Sequence, residues 1–165
     1  NKTWVPRVPG KVVYFMEHGD KYEGDLNVVQ LDGVEENDYP PQKKSFAMIY
    51  YISKHYAQDY EWIVRADDDL YINVEELVPY LKSIDSSKFL YIGQPGSGKG
   101  AEKGKLGLSG PYCMGGPGIA MSNQLVTAIA PYLQDCINST FTQHEDTELG
   151  RCINQKLHIV CTSAA

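Results

Sequence analysis

Three consecutive aspartates, Asp67, Asp68 and Asp69, form the most chemically distinctive segment of this sequence. They follow an apolar run at residues 62–64 that is typical of a buried β-strand. In an open α/β sheet, ligands bind beyond the carboxyl ends of the strands, which is where these carboxylates would lie. Adjacent carboxylates repel one another unless a cation neutralises them, and Mg²⁺ and Mn²⁺ prefer carboxylate and phosphate oxygens. This acidic triplet, residues 67–69, therefore predicts a divalent-metal site.

The acidic triplet has two other interpretations. The first is an exposed acidic turn without a ligand, and the position of the triplet after an apolar strand argues against it. The second is a calcium loop of the EF-hand type. That loop does not fit, because Ile72 stands at its sixth position, which requires glycine, and Val78 stands at its twelfth position, which requires glutamate.

A second acidic segment, Glu145 and Asp146, opens the last helical pattern of the chain. Carboxylates in the first turn of a helix are ordinary capping residues. Alternatively, one of them projects into a cleft and acts as a general base. A metal site with a separate base suits the transfer of a sugar from a nucleotide diphosphate, because the metal stabilises the leaving phosphate. A single base without a neighbouring nucleophile favours direct displacement, and therefore inversion at the sugar carbon.

Alternating apolar and turn-forming segments predict the elements that position these residues. The patterns indicate helices at 42–60, 73–83, 124–133 and from 144 onward, and strands at 11–16, 27–31, 62–64, 89–93, 119–121 and 158–162. This alternation predicts an α/β fold with a mainly parallel central sheet. Residues 95–110 are rich in glycine and lysine, but they lack the spacing of a phosphate-binding P-loop, so a surface hairpin is the favoured interpretation.

The overall composition is that of one globular domain. Of the 165 residues, 42% are hydrophobic and 22% are charged, which is enough for a sizeable core. The formal net charge of −6 argues against nonspecific nucleic-acid binding, which requires a basic surface. No run of about 18 apolar residues is present, so we expect any membrane anchor to lie outside this chain.

Cysteines and glycosylation sequons together indicate an oxidising compartment. The cysteines are Cys113, Cys136, Cys152 and Cys161. They form no C-x-x-C pair, which argues against a zinc site, and their even number fits two disulfides with three connectivities open. Sequons begin at Asn1 and Asn138. These features favour a secretory compartment over a cytosolic protein with four buried thiols.

Five segments, taken in order, resemble a known family. They are YPPQKKSF at 39–46, RADDDLYI at 65–72, LYIGQ at 90–94, CMGGPG at 113–118 and HEDTELGRC at 144–152. The acidic triplet alone is a weak motif, but these segments in this order are highly specific. The chain resembles the Fringe-like β1,3-glycosyltransferases (family 31), and within them the N-terminal domains of chondroitin synthases and of chondroitin polymerising factor. The resemblance implies a GT-A fold, a Rossmann-like nucleotide-sugar glycosyltransferase domain.

The resemblance also implies donor-site roles for individual residues. Asp69 would be the direct metal ligand, with Asp67 as a second ligand, and the metal would be Mn²⁺ or another divalent cation. Asp67 and Asp68 would position the metal, the ribose or the sugar of a UDP-sugar donor. Arg65 and Lys44 would contact the donor phosphate or the carboxylate of glucuronate.

Further roles follow from the glycine-rich segment and the last acidic segment. The family's catalytic base corresponds to Asp146, with Glu145 as the alternative. Gly115 and Gly116 would line the acceptor or donor-sugar pocket.

The resemblance also bears on the disulfides and on the extent of the domain. The family implies that Cys136 pairs with Cys152, which leaves Cys113 and Cys161 as the remaining pair. The family's first strand would lie before the first residue of this chain, and its C-terminal end would lie beyond the last. We therefore expect residues 1–165 to form a single, partial glycosyltransferase domain.

The implied reaction is the transfer of glucuronic acid from UDP-glucuronate to a terminal N-acetylgalactosamine in chondroitin synthesis, with inversion and a β1,3 linkage. A UDP-galactose transferase of the core 1 type is one alternative, and a non-catalytic chondroitin polymerising partner is another. The resemblance also implies a chondroitin-type glycan acceptor and a second subunit of the chondroitin synthase family. It places the full-length protein in the Golgi lumen as a type II membrane protein.

Overall fold

The computed structural model describes residues 3–19, 21–34, 41–98, 100–102 and 104–164. The β-strands are β1 (Tyr14–Glu17), β2 (Val28–Leu31), β3 (Trp62–Arg65), β4 (Tyr91–Gly93), β5 (Pro95–Gly96), β6 (Tyr112–Cys113), β7 (Ile119–Ser122) and β8 (Thr162–Ser163). The α-helices are α1 (Gln42–His55), α2 (Val74–Lys82), α3 (Asn123–Ile129), α4 (Leu133–Asn138) and α5 (Glu145–Leu157). Strands and helices are mixed along the chain, which confirms the predicted α/β class.

The described strands form a four-stranded sheet, a separate two-stranded sheet and a short hairpin. The four-stranded sheet has the order β3-β7-β4-β8, and β1 pairs with β2 in parallel. β7 is antiparallel to both β3 and β4, whereas β4 and β8 are parallel. The central sheet is therefore mixed, which corrects the prediction of a mainly parallel one. The cause is the antiparallel β5–β6 hairpin, which reverses the chain between β4 and β7.

The four-stranded sheet lies between two layers of helices. Side chains alternate along a strand, so Ile63 of β3 packs in the core beneath α1, α3 and α5, whereas Trp62 packs with α2. Fully buried residues of the larger core include Ile49, Met121, Leu125, Leu149 and Ile153. Arg65 follows Ile63 by two positions and therefore projects towards the larger helix layer, at the carboxyl end of β3.

The helix that follows β7 begins and ends differently from the prediction. Its N-cap is Ser122 rather than Asn123, and the Ser122 hydroxyl accepts a hydrogen bond from the Leu125 N–H. The helix predicted at 124–133 ends at Ile129, where a 3₁₀ turn that contains Pro131 follows, and α4 then begins at Leu133 and was not predicted. Proline lacks the N–H that a continuous helix requires, which explains the interruption.

Two other predicted boundaries are displaced. α1 ends at His55 and does not continue to residue 60. β8 begins at Thr162, whereas a strand was predicted at 158–162. His158 has a φ of 58° and is the left-handed C-cap of α5, so the chain leaves the helix through a turn at this point.

Both disulfides join elements around the larger core. Cys136 of α4 is bonded to Cys152 of α5, and Cys113 of β6 is bonded to Cys161, just before β8. The first is the pair that the family resemblance implied, and the second is the pair that then remained. Their sulfur atoms lie among buried residues, so each bond holds a helix or strand against the core.

The first prediction concerns the disulfide between α4 and α5. Replacing Cys136 and Cys152 together by alanine should lower the free energy of unfolding by about 2–4 kcal/mol, because the denatured chain loses a closed loop. Urea denaturation of the oxidised protein and the double variant measures this difference. Equal stability of the two proteins would show that the bond does not constrain the fold.

Candidate functional site

The site is organised around Arg65, the last residue of β3. Its side chain is only 10% exposed. Its Nη2 lies 2.9 Å from Asp67 Oδ1 and 2.7 Å from Glu145 Oε1. A buried guanidinium needs opposite charges as partners, and here it takes them from two distant parts of the sequence. Arg65 thereby joins the acidic triplet to the first turn of α5.

Glu145 is the first residue of α5, and its carboxylate is 15% exposed. Its Oε2 accepts a hydrogen bond from the Ser45 hydroxyl at 3.1 Å. Burial raises the pKa of Glu145, the positive charge of Arg65 opposes this, and the negative charge of Asp146 adds to it. The carboxylate is therefore fixed by two partners and still costs free energy when it is ionised.

Asp146 is held by backbone N–H groups. Its Oδ2 accepts a hydrogen bond from the Gly115 N–H at 2.8 Å, and its Oδ1 accepts one from the Thr147 N–H at 2.7 Å. The first of these bonds joins α5 to the turn between β6 and β7. The orientation of the Asp146 carboxylate is therefore set by two elements rather than by its own helix alone.

Gly115 packs directly against the side chains of Arg65, Glu145 and Asp146, which together form the charged cluster. A Cβ at this position would lie 2.9 Å from Arg65 Nη1, 3.1 Å from Glu145 Oε1 and 3.3 Å from the Cβ of Asp146. A larger residue would therefore require the Arg65 guanidinium to shift. A Cβ on Gly116 would meet no atom within 4 Å, so the two neighbouring glycines do not have the same role.

Arg65 also has a hydrogen-bonding group that is not used. Its Nη1 is buried and has no hydrogen-bond partner within the described part of the chain. Buried donors are normally paired, so an orphaned one calls for an explanation. This nitrogen is enclosed beside Gly115 and the two carboxylates of α5.

The acidic triplet is exposed and forms a turn beyond β3. The Leu70 N–H donates to the Asp67 carbonyl at 3.3 Å and closes this turn. Within the described residues, only Asp67 of the three has a side-chain partner, Arg65. Asp68 and Asp69 project into solvent. The turn thus presents carboxylate oxygens next to the charged cluster.

The chemistry of these oxygens fits a hard divalent cation, but their number is limited. Among the residues described, no group of three or more His, Cys, Asp or Glu side chains converges to hold a metal. Mg²⁺ commonly binds to one or two carboxylates and completes its shell with water and substrate phosphate. The triplet fits a site of that kind, and does not fit a cage made of protein ligands alone.

A cavity of about 620 Å³ opens on the opposite face of β3, beneath α2. Its floor contains Val64, Ile92 and Ala120, and Tyr71 lies at its edge, next to the triplet. The turn at residues 115–118 separates this cavity from the charged cluster. Gly115 contacts Arg65 on one side, and a Cβ on Gly118 would lie 2.9 Å from Leu70 Cδ2 on the other.

The start of α5 is fixed by a buried ion pair that sequence reasoning assigned only to capping. Glu148 is 2% exposed, and its Oε1 accepts hydrogen bonds from the Phe141 and Thr142 N–H groups. Its Oε2 pairs with Arg151 Nη1 at 2.6 Å. The two hydrogen bonds to Glu148 Oε1 hold the loop before α5 against the helix, and the pair with Arg151 fixes the Glu148 side chain that accepts them.

Sequence reasoning placed some residues of the site and missed others. It named Arg65, Asp67, Glu145, Asp146 and Gly115, which the structure brings together. Lys44 lies in the first turn of α1, and its predicted contact with donor phosphate stays a prediction. Ser45, and Gln42, whose side-chain amide donates to the Thr142 carbonyl at 2.6 Å, were missed. They lie four positions before buried Ile49 and Phe46, respectively, and that spacing was a usable signal.

Comparison with known proteins agrees with these motifs. The Fringe-like family model matches residues 1–165. The chain belongs to the Fringe-like family. Human (Homo sapiens) chondroitin sulfate synthase 3 is 44% identical over 160 residues, which cover 93% of this chain and 18% of that protein. The family predicted from the sequence is therefore confirmed.

More distant relatives differ in the activity that their names state. Chondroitin sulfate glucuronyltransferase of Homo sapiens is 24% identical over 163 residues, covering 99% of this chain and 20% of that protein. Glycoprotein-N-acetylgalactosamine 3-beta-galactosyltransferase 1 of Xenopus laevis is 24% identical over 110 residues, covering 67% of this chain and 28% of that protein. This Fringe-like chain spans about a fifth of the length of its chondroitin relatives.

The neighbouring glycines of the Fringe-like chain allow a matched test of the packing at Arg65. Gly115→Ala should lower the free energy of unfolding by about 1–3 kcal/mol, because the added methyl displaces a guanidinium that two ion pairs hold in place. Gly116→Ala meets open space and should change it by no more than about 1 kcal/mol. Chemical denaturation followed by tryptophan fluorescence compares them, and equal losses would contradict the close packing at Gly115.

A further prediction concerns pH and Glu145. Because burial raises its pKa in the folded state, its contribution to stability is fully present below the unfolded pKa and is lost as pH rises through the folded pKa. The free energy of unfolding of the wild type should therefore fall relative to Glu145→Gln as pH rises above about 4.3.

Urea denaturation between about pH 4 and pH 7 measures this difference. Glu61→Gln, at an exposed position before β3, is the control and should show no comparable trend. A difference between the wild type and Glu145→Gln that stays constant, or that grows in favour of the wild type at high pH, would contradict the proposed cost of ionisation.

Proposed function

We propose that this chain is the donor-binding and catalytic part of an inverting β1,3-glycosyltransferase with a GT-A arrangement. The observation that carries the proposal is the contact of one buried arginine, Arg65, with both acidic segments. Through it, the exposed triplet and the carboxylates of α5 form one site. A cation-binding turn next to a separate, oriented carboxylate is what sugar transfer from a nucleotide diphosphate requires.

In this mechanism Asp146 is the general base. Its carboxylate is held by the Gly115 and Thr147 N–H groups, and it would accept the proton of the acceptor hydroxyl. Glu145 is the alternative base; unlike Asp146, whose partners are neutral N–H groups, it is paired with the positive charge of Arg65 and also accepts from Ser45. With a base and no neighbouring nucleophile, the hydroxyl attacks the sugar carbon directly and inverts it.

The leaving group would be bound at the acidic triplet. Asp69 and Asp67 are the proposed ligands of a divalent cation, Mn²⁺ or Mg²⁺, and Asp68 the proposed contact to the ribose or sugar. When bound, such a cation stabilises the negative charge that develops on UDP. Arg65 and Lys44 are the proposed contacts to the donor phosphate or to the glucuronate carboxylate, and a contact by Arg65 Nη1 would require this buried nitrogen to become exposed.

The proposed donor is UDP-glucuronate, and the proposed acceptor is a chondroitin-type glycan that ends in N-acetylgalactosamine. Support comes from the 44% identity to chondroitin sulfate synthase 3 and from the relative named chondroitin sulfate glucuronyltransferase. UDP-galactose is the second candidate, and the Xenopus galactosyltransferase supports it at 24% identity. A non-catalytic chondroitin polymerising partner is the third candidate function, and it predicts that the chain binds UDP but transfers no sugar.

The cellular setting is part of the same proposal. Two disulfides and an exposed sequon at Asn138 suit the Golgi lumen, where Asn138 would carry a glycan. Among the helices described, none is long and apolar enough to cross a bilayer. A type II anchor and a second chondroitin synthase-family subunit of the full-length protein are part of the same proposal, on the family resemblance.

A transfer assay with three single variants tests the proposal. The chain is incubated with Mn²⁺, an N-acetylgalactosamine-terminated acceptor, and either UDP-glucuronate or UDP-galactose. Asp146→Asn should leave donor binding intact and reduce kcat by about 10²–10⁴-fold, since it removes the base. Asp69→Asn should abolish the metal-dependent binding of UDP. Asp59→Asn, at an exposed position after α1, is the control and should change neither.

Each result assigns or removes a role. If the chain prefers UDP-galactose as donor, the proposed reaction becomes galactosyl transfer. Full activity of Asp146→Asn would remove Asp146 as the base and make Glu145 the next candidate. Metal-dependent UDP binding without transfer to any acceptor would favour the non-catalytic partner.

A further inference from the structure

The N-terminal segment, residues 3–9, lies against the residues that directly follow the acidic triplet. The Trp4 indole N–H donates to the Leu70 carbonyl at 3.1 Å. Arg7 Nη2 donates to the Tyr71 hydroxyl at 2.7 Å, and Arg7 Nη1 pairs with Glu75 Oε1 at 2.9 Å. These contacts join residues separated by more than sixty positions in the sequence. The segment thus binds the far end of the triplet turn and the first turn of α2.

The backbone of this segment is restricted by a hydrogen-bonded turn and by two prolines. Residues 5–7 form a 3₁₀ turn in which the Arg7 N–H donates to the Trp4 carbonyl at 2.9 Å. Pro6 and Pro9 restrict the backbone on both sides of Arg7. The Trp4 indole and the Arg7 guanidinium therefore reach the triplet turn from a backbone with little freedom of its own.

Leu70 is the residue at which these contacts meet. Its N–H donates to the Asp67 carbonyl, which closes the triplet turn, and its carbonyl accepts from Trp4. Its side chain packs against the turn at Gly118, where a Cβ would approach Leu70 Cδ2 to 2.9 Å. A shift of the N-terminal segment would therefore move Leu70, and with it the backbone of the triplet.

Electrostatics explains why the triplet turn needs an attachment at each end. Three adjacent exposed carboxylates repel one another and favour an open turn. Arg65 holds the first of them, Asp67, at the end of β3. At the other end, Asp69 is followed immediately by Leu70 and Tyr71, which Trp4 and Arg7 hold. The Arg7–Glu75 pair alone is exposed and weak, but the paired contacts to Tyr71 and Glu75 define a geometry.

We propose that Trp4 and Arg7 are positioning residues for the acidic triplet, which they hold in the arrangement that receives a divalent cation and a nucleoside diphosphate. The ligand part of this inference rests on the proposed function. The other part, that Trp4 and Arg7 restrain the triplet turn mechanically, concerns this chain alone and can be tested without any ligand.

Hydrogen–deuterium exchange of the protein without metal or nucleotide tests the mechanical part. Trp4→Phe keeps an aromatic ring and removes the N–H that contacts Leu70. It should raise exchange in residues 66–73 by roughly three- to tenfold, the factor expected for the loss of one hydrogen bond. Trp62→Phe makes the same chemical change at the other end of β3 and should leave this segment unchanged.

A second set of variants tests the two contacts that the Arg7 guanidinium makes with Tyr71 and Glu75. Arg7→Gln removes the charge and one of the paired contacts, and should raise exchange in the same segment. Arg7→Lys keeps the positive charge but lacks the planar guanidinium that contacts two partners at once. Exchange in this segment should therefore be slower than in Arg7→Gln but faster than in the wild type. Tyr71→Phe removes the hydroxyl that Arg7 contacts, and its effect should not add to that of Arg7→Gln.

Calorimetric titration with UDP in the presence of Mn²⁺ tests the consequence for the site. Trp4→Phe and Arg7→Gln should each weaken UDP binding by about three- to tenfold. Trp62→Phe should leave UDP binding unchanged, even if it lowers the melting temperature as much as Trp4→Phe does. Unchanged exchange at 66–73 in both variants, or faster exchange with unchanged affinity, would overturn the inference. Absence of UDP binding by the wild type would instead count against the proposed function, and the exchange result would still decide whether Trp4 and Arg7 hold the turn.

Discussion

One buried guanidinium constrains the arrangement of this domain. Arg65 is nine-tenths buried at the end of β3, and a charge in that position is tolerated only when opposite charges accompany it. Asp67 and Glu145 supply those charges at 2.9 and 2.7 Å. The first belongs to the acidic triplet and the second to α5, so the positions of the turn and of the helix depend on each other.

Other features of the structure follow from this contact. The turn at residues 115–118 must approach the guanidinium closely, which explains glycine at position 115 and the hydrogen bond from its N–H to Asp146. α5 must begin at Glu145, and the buried Glu148–Arg151 pair fixes the loop that leads into it. The N-terminal segment then holds the opposite end of the triplet. The charged site is thus assembled by short contacts from elements distant in sequence.

The local parts of this arrangement could be predicted from the sequence, and the long-range parts could not. The apolar run of β3, the triplet and the acidic start of α5 are patterns within a few residues, and the resemblance assigned Cys136 to Cys152. The glycine-rich pattern at 95–110 predicted a surface hairpin, but the strand pairing of β5 with β6, which reverses the direction of β7, has no local signal. The partnership of Arg65 with Glu145 spans 80 positions, so only the fold brings them together. Trp4 was missed for the same reason, because an indole far from the triplet has no local signal.

A double-mutant cycle between Arg65 and Glu145 tests the central claim most directly. The free energies of unfolding of the wild type, Arg65→Met, Glu145→Gln and the double variant are measured by urea denaturation at neutral pH. The account predicts non-additive effects, with a coupling energy of about 1–3 kcal/mol, since Arg65→Met leaves the Glu145 carboxylate without its cation and Glu145→Gln leaves Arg65 with Asp67 alone. Additive effects, within about 0.5 kcal/mol, would mean that Arg65 does not join the two acidic segments, and the proposed site would lose its foundation.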